Sequence, residues 1–388
     1  ARRESELRAW CTSSAIPWIG KRCRKLQDAY GRHEHGRRGP PLNPERVVAL
    51  LAALERAFRE LHPPRIAELR KAVSEPLARL EAEPAPPGDS GPALARLAEA
   101  AAISARAAHL FCDEAKPEQA IARFFGSLSE HAHAQAALYT LRRGHASIGR
   151  YFALPEWHDR LDELDPAPRD GVRVGLFEAG SAGAGARTTA FYVPERYEPS
   201  RAWPLVVALH GGGGNGRDFL WTWLREARSR GYLLLAPSSQ GSTWSFLGPD
   251  VDAVRLRGLI DGLCESWNVD RSRILLTGLS DGGTYALCRG LSEGAEFAAL
   301  APGSGVLHPS NLTNGNLERA RAKPIYLMHG AQDWMFPVQV ARLARDLLGR
   351  AGARLVYREI ADLSHAWPRE ENARILDWFE QLQPPPGA

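Results

Sequence analysis

The stretch Ile274-Leu-Leu-Thr-Gly-Leu-Ser-Asp-Gly-Gly-Thr-Tyr-Ala-Leu-Cys288 changes character in its middle. Ile274 to Leu279 is an apolar run of strand length, and Asp281 to Cys288 is compatible with a helix. Between them stands Gly278-Leu279-Ser280-Asp281-Gly282, followed by Gly283. Glycines two residues either side of a serine permit the sharp strand-to-helix turn that holds a nucleophilic hydroxyl in strained geometry. A chain with 36 glycines also generates such a pentapeptide by chance, so the motif counts only with its surroundings.

Those surroundings alternate strand and helix from about residue 170 onward. Short apolar runs fall at 172–177, 188–193, 205–209, 232–236, 274–279, 297–301, 325–328 and 355–360. Helical patterns lie between most of them, at about 217–230, 251–267, 281–292, 337–350 and 369–382. The spacing predicts an α/β architecture: a mostly parallel eight-stranded sheet with helices on both faces and its site at the carboxyl ends of the strands.

A serine hydroxyl needs a neutral imidazole to take its proton and a carboxylate to hold that imidazole. On this kind of turn the acid and then the histidine follow the serine in chain order. Asp333, in His329-Gly-Ala-Gln-Asp-Trp-Met-Phe-Pro337, comes directly after the run ending at Met328. His365, in Asp362-Leu-Ser-His-Ala-Trp-Pro368, comes after the run ending at Ile360 and before the last helix. Both loops should open onto the face that carries Ser280. Asp362 is a rival acid, but three residues from the histidine it is expected to make a local loop contact. His308 and His329 are rival bases, and His329, directly after a strand, is expected to be a packed histidine.

The run His210-Gly-Gly-Gly-Gly-Asn215 follows the strand ending at Leu209, where backbone N–H groups can approach a tetrahedral oxyanion. Gly212 is the expected first donor, Gly213 the next choice, and the N–H of Asp281 the second donor. No Gly-Lys-Ser/Thr follows the glycines, which argues against a P-loop.

Residues 1–165 read differently, with apolar positions at helical spacing and few β-branched runs. Asn43-Pro44 is a helix start, and Val47, Val48, Leu50, Leu51, Leu54 and Phe58 form its apolar stripe. A second helix to about Ala82, an exposed loop over Glu83 to Pro92, and Ala-rich helices at about 93–114 and 117–143 complete a predicted bundle. The expected organisation is a helical domain over 1–165, of unknown role but suited to a lid or an oligomer contact, then a catalytic domain over 166–388. About twenty residues separate Gly303 from Pro324, too few for an inserted cap, which motivates the lid expectation.

Composition narrows the class. Hydrophobic residues at 44% and charged residues at 24% suit a globular protein, and no apolar run is long enough for a membrane helix. The formal charge of +4 is small, and although basic residues cluster between Arg2 and Arg38, a solvated basic face is expected rather than a nucleic-acid partner. The 5 cysteines are scattered without a CxxC pair, which predicts buried thiols and no zinc site. His109, Cys112 and Asp113 can share a helix face but lack a clear fourth ligand, so no metal and no cofactor is expected. A start without an apolar leader predicts a cytoplasmic protein, although a processed secreted form would begin in the same way.

Together, Leu209 to Asn215, Val269 to Gly283, His329 to Asp333 with Phe336-Pro337, and Ser364 to Pro368 resemble the esterase branch of the α/β-hydrolase superfamily. That branch includes polyhydroxybutyrate-depolymerase-like enzymes, feruloyl esterases and phospholipase/carboxylesterase proteins. The resemblance covers roughly 170–383 and implies a family triad of Ser280, Asp333 and His365. Related dienelactone hydrolases use cysteine where Ser280 stands, which argues against that activity. The expected function is a serine esterase acting through an acyl-enzyme on small, aryl or polyester-type esters, with Trp244, Trp334 and Trp367 as substrate walls. A serine peptidase of the oligopeptidase type is the alternative, and an inactive scaffold on the same fold a third.

Overall fold

The computed structural model describes residues 42–83, 91–114, 116–179, 187–246 and 249–382. The basic cluster, Cys11 and Cys23 lie outside these, as does most of the loop expected over Glu83 to Pro92. Eight strands form one sheet: β1 (Gly175–Ala179), β2 (Thr189–Val193), β3 (Trp203–Leu209), β4 (Leu233–Ala236), β5 (Val269–Leu279), β6 (Ala299–Gly303), β7 (Pro324–Gly330) and β8 (Arg354–Ile360). Their order is β1-β2-β4-β3-β5-β6-β7-β8, with β2 antiparallel to both neighbours and every later pairing parallel. Every residue of β3, β4 and β6 is buried, as befits parallel strands covered on both faces. β5 begins at Val269, earlier than the apolar run suggests, because Val269 pairs with Trp203 and the polar Asp270 to Arg273 bridges this pairing to the central register.

Before the sheet come α1 (Pro44–Arg59), α2 (Ile66–Glu81), α3 (Gly91–Cys112), α4 (Pro117–Tyr139) and α5 (Ala146–Tyr151). α1 starts where predicted: the Asn43 side chain accepts the Glu45 N–H, and Pro44 occupies the first turn, where its missing donor costs nothing. Val47, Leu50, Leu51 and Leu54 are fully buried, whereas Val48 and Phe58 sit at the margin.

Between and after the strands run α6 (Gly216–Leu220), α7 (Leu224–Arg230), α8 (Val251–Ser266), α9 (Asp281–Gly290), α10 (Val338–Arg350) and α11 (Glu371–Gln381). The single helix expected over 217–230 is thus two short ones. Because strand side chains alternate, the sheet divides its core in two. Leu205, Val207, Leu209, Ile274, Leu276 and Leu327 join a cluster with Leu256 and Ile260 of α8, Tyr285 of α9 and Leu348 of α10. Val206, Ala208, Leu234, Leu275, Ala301 and Met328 join a second cluster with Trp221, Trp223 and Phe379. That second cluster runs on without a break into Leu50, Leu54, Ala107 and Leu138 of the amino-terminal helices. Leu42 onward makes a single compact unit.

Candidate active site

β5 ends at Leu279 and α9 begins at Asp281, so Ser280 alone makes the turn. Its backbone sits at φ 57° and ψ −119°, a region an L-residue enters only at a cost of order 1–3 kcal/mol. Surrounding hydrogen bonds hold it there: the Ser280 N–H donates to Gly303 O at 2.9 Å and its carbonyl accepts the Thr284 N–H at 2.9 Å. Gly282 is required by space, since a Cβ there would lie 2.4 Å from Leu209 O and 2.5 Å from His210 O.

The Ser280 hydroxyl oxygen lies 2.9 Å from His365 Nε2, and His365 Nδ1 lies 2.8 Å from Asp333 Oδ2. An ionised carboxylate can only accept, so Nδ1 carries the ring proton and Nε2 is left to accept from the serine. Asp333 also accepts the N–H groups of Met335 and Phe336, at 3.0 and 2.8 Å. Burial pushes the Asp333 carboxyl up, but the His365 hydrogen bond, the Phe336 N–H and the two nearby imidazoles outweigh it and hold it below its ordinary value. It is therefore kept as the anion that the imidazole needs.

None of the rivals takes the place of Asp333 or His365, although His329 Nε2 lies 3.3 Å from Asp333 Oδ2. Asp362 accepts from Arg59 of α1 rather than from His365. His329 is fully buried and donates from Nε2 to Phe336 O at 2.8 Å, while His308 pairs through Nδ1 with Ser310 at 2.8 Å. The His109, Cys112 and Asp113 group is not assembled as a ligand set: His109 meets Glu81 and Asp113, and Cys112 Sγ contacts Arg70 O. Among the described residues no three of His, Cys, Asp and Glu converge on a metal position.

Facing Ser280 is the glycine run after β3. The N–H groups of Gly212 and Asp281 meet no acceptor among the described residues. Gly213 differs from expectation: its N–H donates to Ser242 O at 2.8 Å, which closes the loop and removes it as a donor. Gly212 passes close to Asp281, since a Cβ on it would fall 2.5 Å from Asp281 Oδ2.

The loop after β4, largely silent in the sequence, holds the glycine run in place. Ser239 N–H donates to His210 Nε2 at 3.1 Å, His210 Nδ1 donates to Gly211 O at 2.7 Å, and Thr243 donates to Asp281 Oδ2 at 2.5 Å. His210 is thereby fixed as one neutral tautomer, and burial, the largest influence, pushes its pKa down to about 4. Trp244 belongs to this brace, not to a substrate wall: it is buried, stacked on Tyr285, and donates from Nε1 to His210 O at 2.8 Å. Trp367 is likewise a core residue, buried against Trp223 with Nε1 donating to Asn372 at 2.8 Å. Both rings found an apolar bed and a buried acceptor, which their loop positions did not reveal. Trp334 alone of the three is exposed, as is its neighbour Met335, and Phe336 meets the His365 ring edge-on at 5.3 Å.

Residues 252–382 match the phospholipase/carboxylesterase family. Feruloyl esterase C of Emericella nidulans is 33% identical over 159 residues, covering 38% of this chain and 54% of that protein. A bifunctional acetylxylan esterase/xylanase of Neocallimastix patriciarum is 30% identical over 155 residues, covering 39% of this chain and 22% of that one. The chain thus spans about half, or less, of the curated relatives it matches. A thermostable esterase crystal structure superposes with a TM-score of 0.46 at 24% identity, covering 53% of this chain and 62% of its own. No helix among the described residues is long and apolar enough to cross a membrane. The sheet order and the serine turn between β5 and α9 give this chain an α/β-hydrolase fold, and its residues 252–382 are similar to the phospholipase/carboxylesterase family.

Proposed function

We propose that the chain hydrolyses carboxylic esters, with Ser280 as nucleophile, His365 as general base and acid, and Asp333 as the group that orients His365. The observation that carries this reading is the unbroken line from Ser280 Oγ to His365 Nε2 at 2.9 Å and from His365 Nδ1 to Asp333 Oδ2 at 2.8 Å. Ser280 Oγ bonds to the ester carbonyl carbon as its proton passes to His365 Nε2. The carbonyl oxygen takes the negative charge and is received by the N–H groups of Gly212 and Asp281, each worth about 10²- to 10³-fold in rate. His365 then returns the proton to the departing alkoxide, leaving an acyl-Ser280. Water repeats the cycle with the same proton movements, and the acid is released. Chemistry of this kind belongs to residues 166–388, with the earlier helices supporting it.

For substrate we propose small or aryl esters, including feruloyl-type and polyester-type groups. The exposed Trp334 and Met335, next to Asp333, offer an apolar ledge on which a flat ring can stack. The relatives' names, feruloyl esterase and acetylxylan esterase, are consistent with acyl esters of this size. A pre-steady-state burst of one p-nitrophenol per chain from a p-nitrophenyl acyl ester, absent in Ser280→Ala, is the expected result. Full turnover in Ser280→Ala would overturn the assignment, and a preference for amides over matched esters would favour a peptidase.

A further inference from the structure

The loop that carries His365 is held from outside the α/β-hydrolase sheet. Arg59, the last residue of α1, donates from Nε to Glu370 Oε1 at 2.8 Å, from Nη2 to Asp362 Oδ1 at 3.1 Å and from Nη1 to the Asp362 carbonyl at 3.3 Å. One guanidinium therefore grips both stems of the segment that arches from Asp362 over His365 to Glu370. A second link lies one turn earlier on the same helix. Glu55 accepts from Arg369 at 2.6 Å, from Arg225 of α7 at 3.5 Å and from the Tyr151 hydroxyl of α5. The planar fork of arginine suits this task, since its donors diverge in a fixed geometry that a lysine cannot copy.

Two features of the loop tie this grip to chemistry rather than to stability alone. Leu363 and Ser364 are buried and the Leu363 carbonyl accepts from Gln332 N–H at 3.0 Å, which ties the middle of the loop to the Asp333 loop. The stems, in contrast, are exposed: the Asp362 side chain is 74% and the Glu370 side chain 46% accessible, against 19% for Arg59. Trp367, bonded to Asn372, anchors the carboxyl side of the segment, and the exposed side chains of the two stems are held by Arg59 of α1. Arg59 also holds the Asp362 carboxyl below its ordinary value, so the acid stays charged and available to the guanidinium.

We infer that Arg59 is a positioning residue for the reaction, stapling both stems of the His365 loop so that His365 Nε2 stays within reach of Ser280 Oγ. The inference rests on the reading of Ser280, Asp333 and His365 as a triad. Misplacing a catalytic group by about 1 Å costs up to ~10²-fold, and partial loosening of a loop that keeps its central anchor is expected to cost about 10-fold.

The test uses the full chain and a p-nitrophenyl acyl ester, comparing Arg59→Ala, Arg59→Lys, the double variant Asp362→Ala/Glu370→Ala, all three substitutions together, and Arg79→Ala as a surface control. Arg59→Ala is expected to lower kcat about 10-fold with KM within about twofold, Arg59→Lys to recover part of it, and Arg79→Ala to leave it unchanged. Adding Arg59→Ala to the double variant should cost at most about twofold more, because only the 3.3 Å bond to the Asp362 carbonyl is left of the staple. Raising the salt concentration should lower kcat of the wild type towards that of Arg59→Ala, since exposed ion pairs are screened. Should Arg59→Ala fail to fold, the double variant, which alters only exposed side chains of the loop, reads the same effect. A kcat within twofold of wild type in a folded Arg59→Ala or in the double variant, or additive losses in the triple variant, would overturn the staple. Undiminished turnover in Ser280→Ala would instead overturn the triad reading beneath it.

Discussion

Ser280 concentrates the site's demands on one residue: positive φ, a hydroxyl facing an imidazole, and a neighbouring N–H, that of Asp281, with no acceptor among the described residues. Ser280→Ala is expected to lower kcat on the order of 10⁶-fold with no loss of thermal stability, as followed by ester turnover and calorimetry. Asp333→Asn keeps the shape but offers His365 Nδ1 an amide, which allows the wrong tautomer, and about 10⁴-fold is expected to go. Gly212→Ala tests the oxyanion loop, because the new Cβ would press on Asp281 Oδ2 2.5 Å away. A loss of about 10²- to 10³-fold in kcat with little change in KM is expected; an unchanged kcat would remove Gly212 from the oxyanion role.

At the scale of elements, the brace from the β4 loop to the glycine run predicts that Trp244→Phe lowers kcat. Phenylalanine preserves the stack on Tyr285 but leaves His210 O without its donor, a loss of about 1 kcal/mol, or roughly fivefold in kcat if it falls on the oxyanion loop. If Tm drops while kcat holds, Trp244 serves stability only. This brace also marks where the sequence stopped being legible. The inner strands β3, β4 and β6 announced themselves because parallel strands buried on both faces must be continuously apolar, and the order of Ser280, Asp333 and His365 came with them. Gly213 and Trp244 misled because a glycine's N–H and an indole's burial depend on contacts with a polar loop, Ser239 to Ser245, that has no periodicity of its own. Asp362 was separable from Asp333 by spacing, but its partner, Arg59, lies 303 positions away and no local pattern could name it.

For the molecule as a whole, buried titrating groups at the junction of helices and sheet set its response to acid. His131 of α4 is buried, and burial, its largest influence, pushes its pKa from 6.5 down to about 4. Unfolded chains therefore take up that proton first as pH falls from 6.5, and stability is lost progressively down to about 4. Glu55 runs the other way chemically: burial raises it, but Arg369 and Arg225 outweigh that and hold it at about 2. Its contribution is intact above its unfolded value near 4.5 and disappears as pH falls through about 2. Urea titrations from pH 7 to 4 should show a falling midpoint, and the fall should be shallower in His131→Asn; an equal slope in that variant would assign the acid loss to other groups.

The shared core makes a further demand. Val206, Ala208, Leu234 and Leu275 touch a cluster that also contains Leu50, Leu54 and Leu138, so a chain beginning at residue 166 is expected to expose that face and aggregate, as gel filtration would show. A soluble monomer of that length would argue against it. The unbroken cluster therefore restricts inheritance as well as folding. A lineage that lost these helices would have to rewrite one face of its sheet at the same time, and one that borrowed them would have to borrow Tyr192, Trp221 and Phe379 with them. In this chain helices and sheet are packed as one unit, and recombination that cuts between them is expected to yield few folded products.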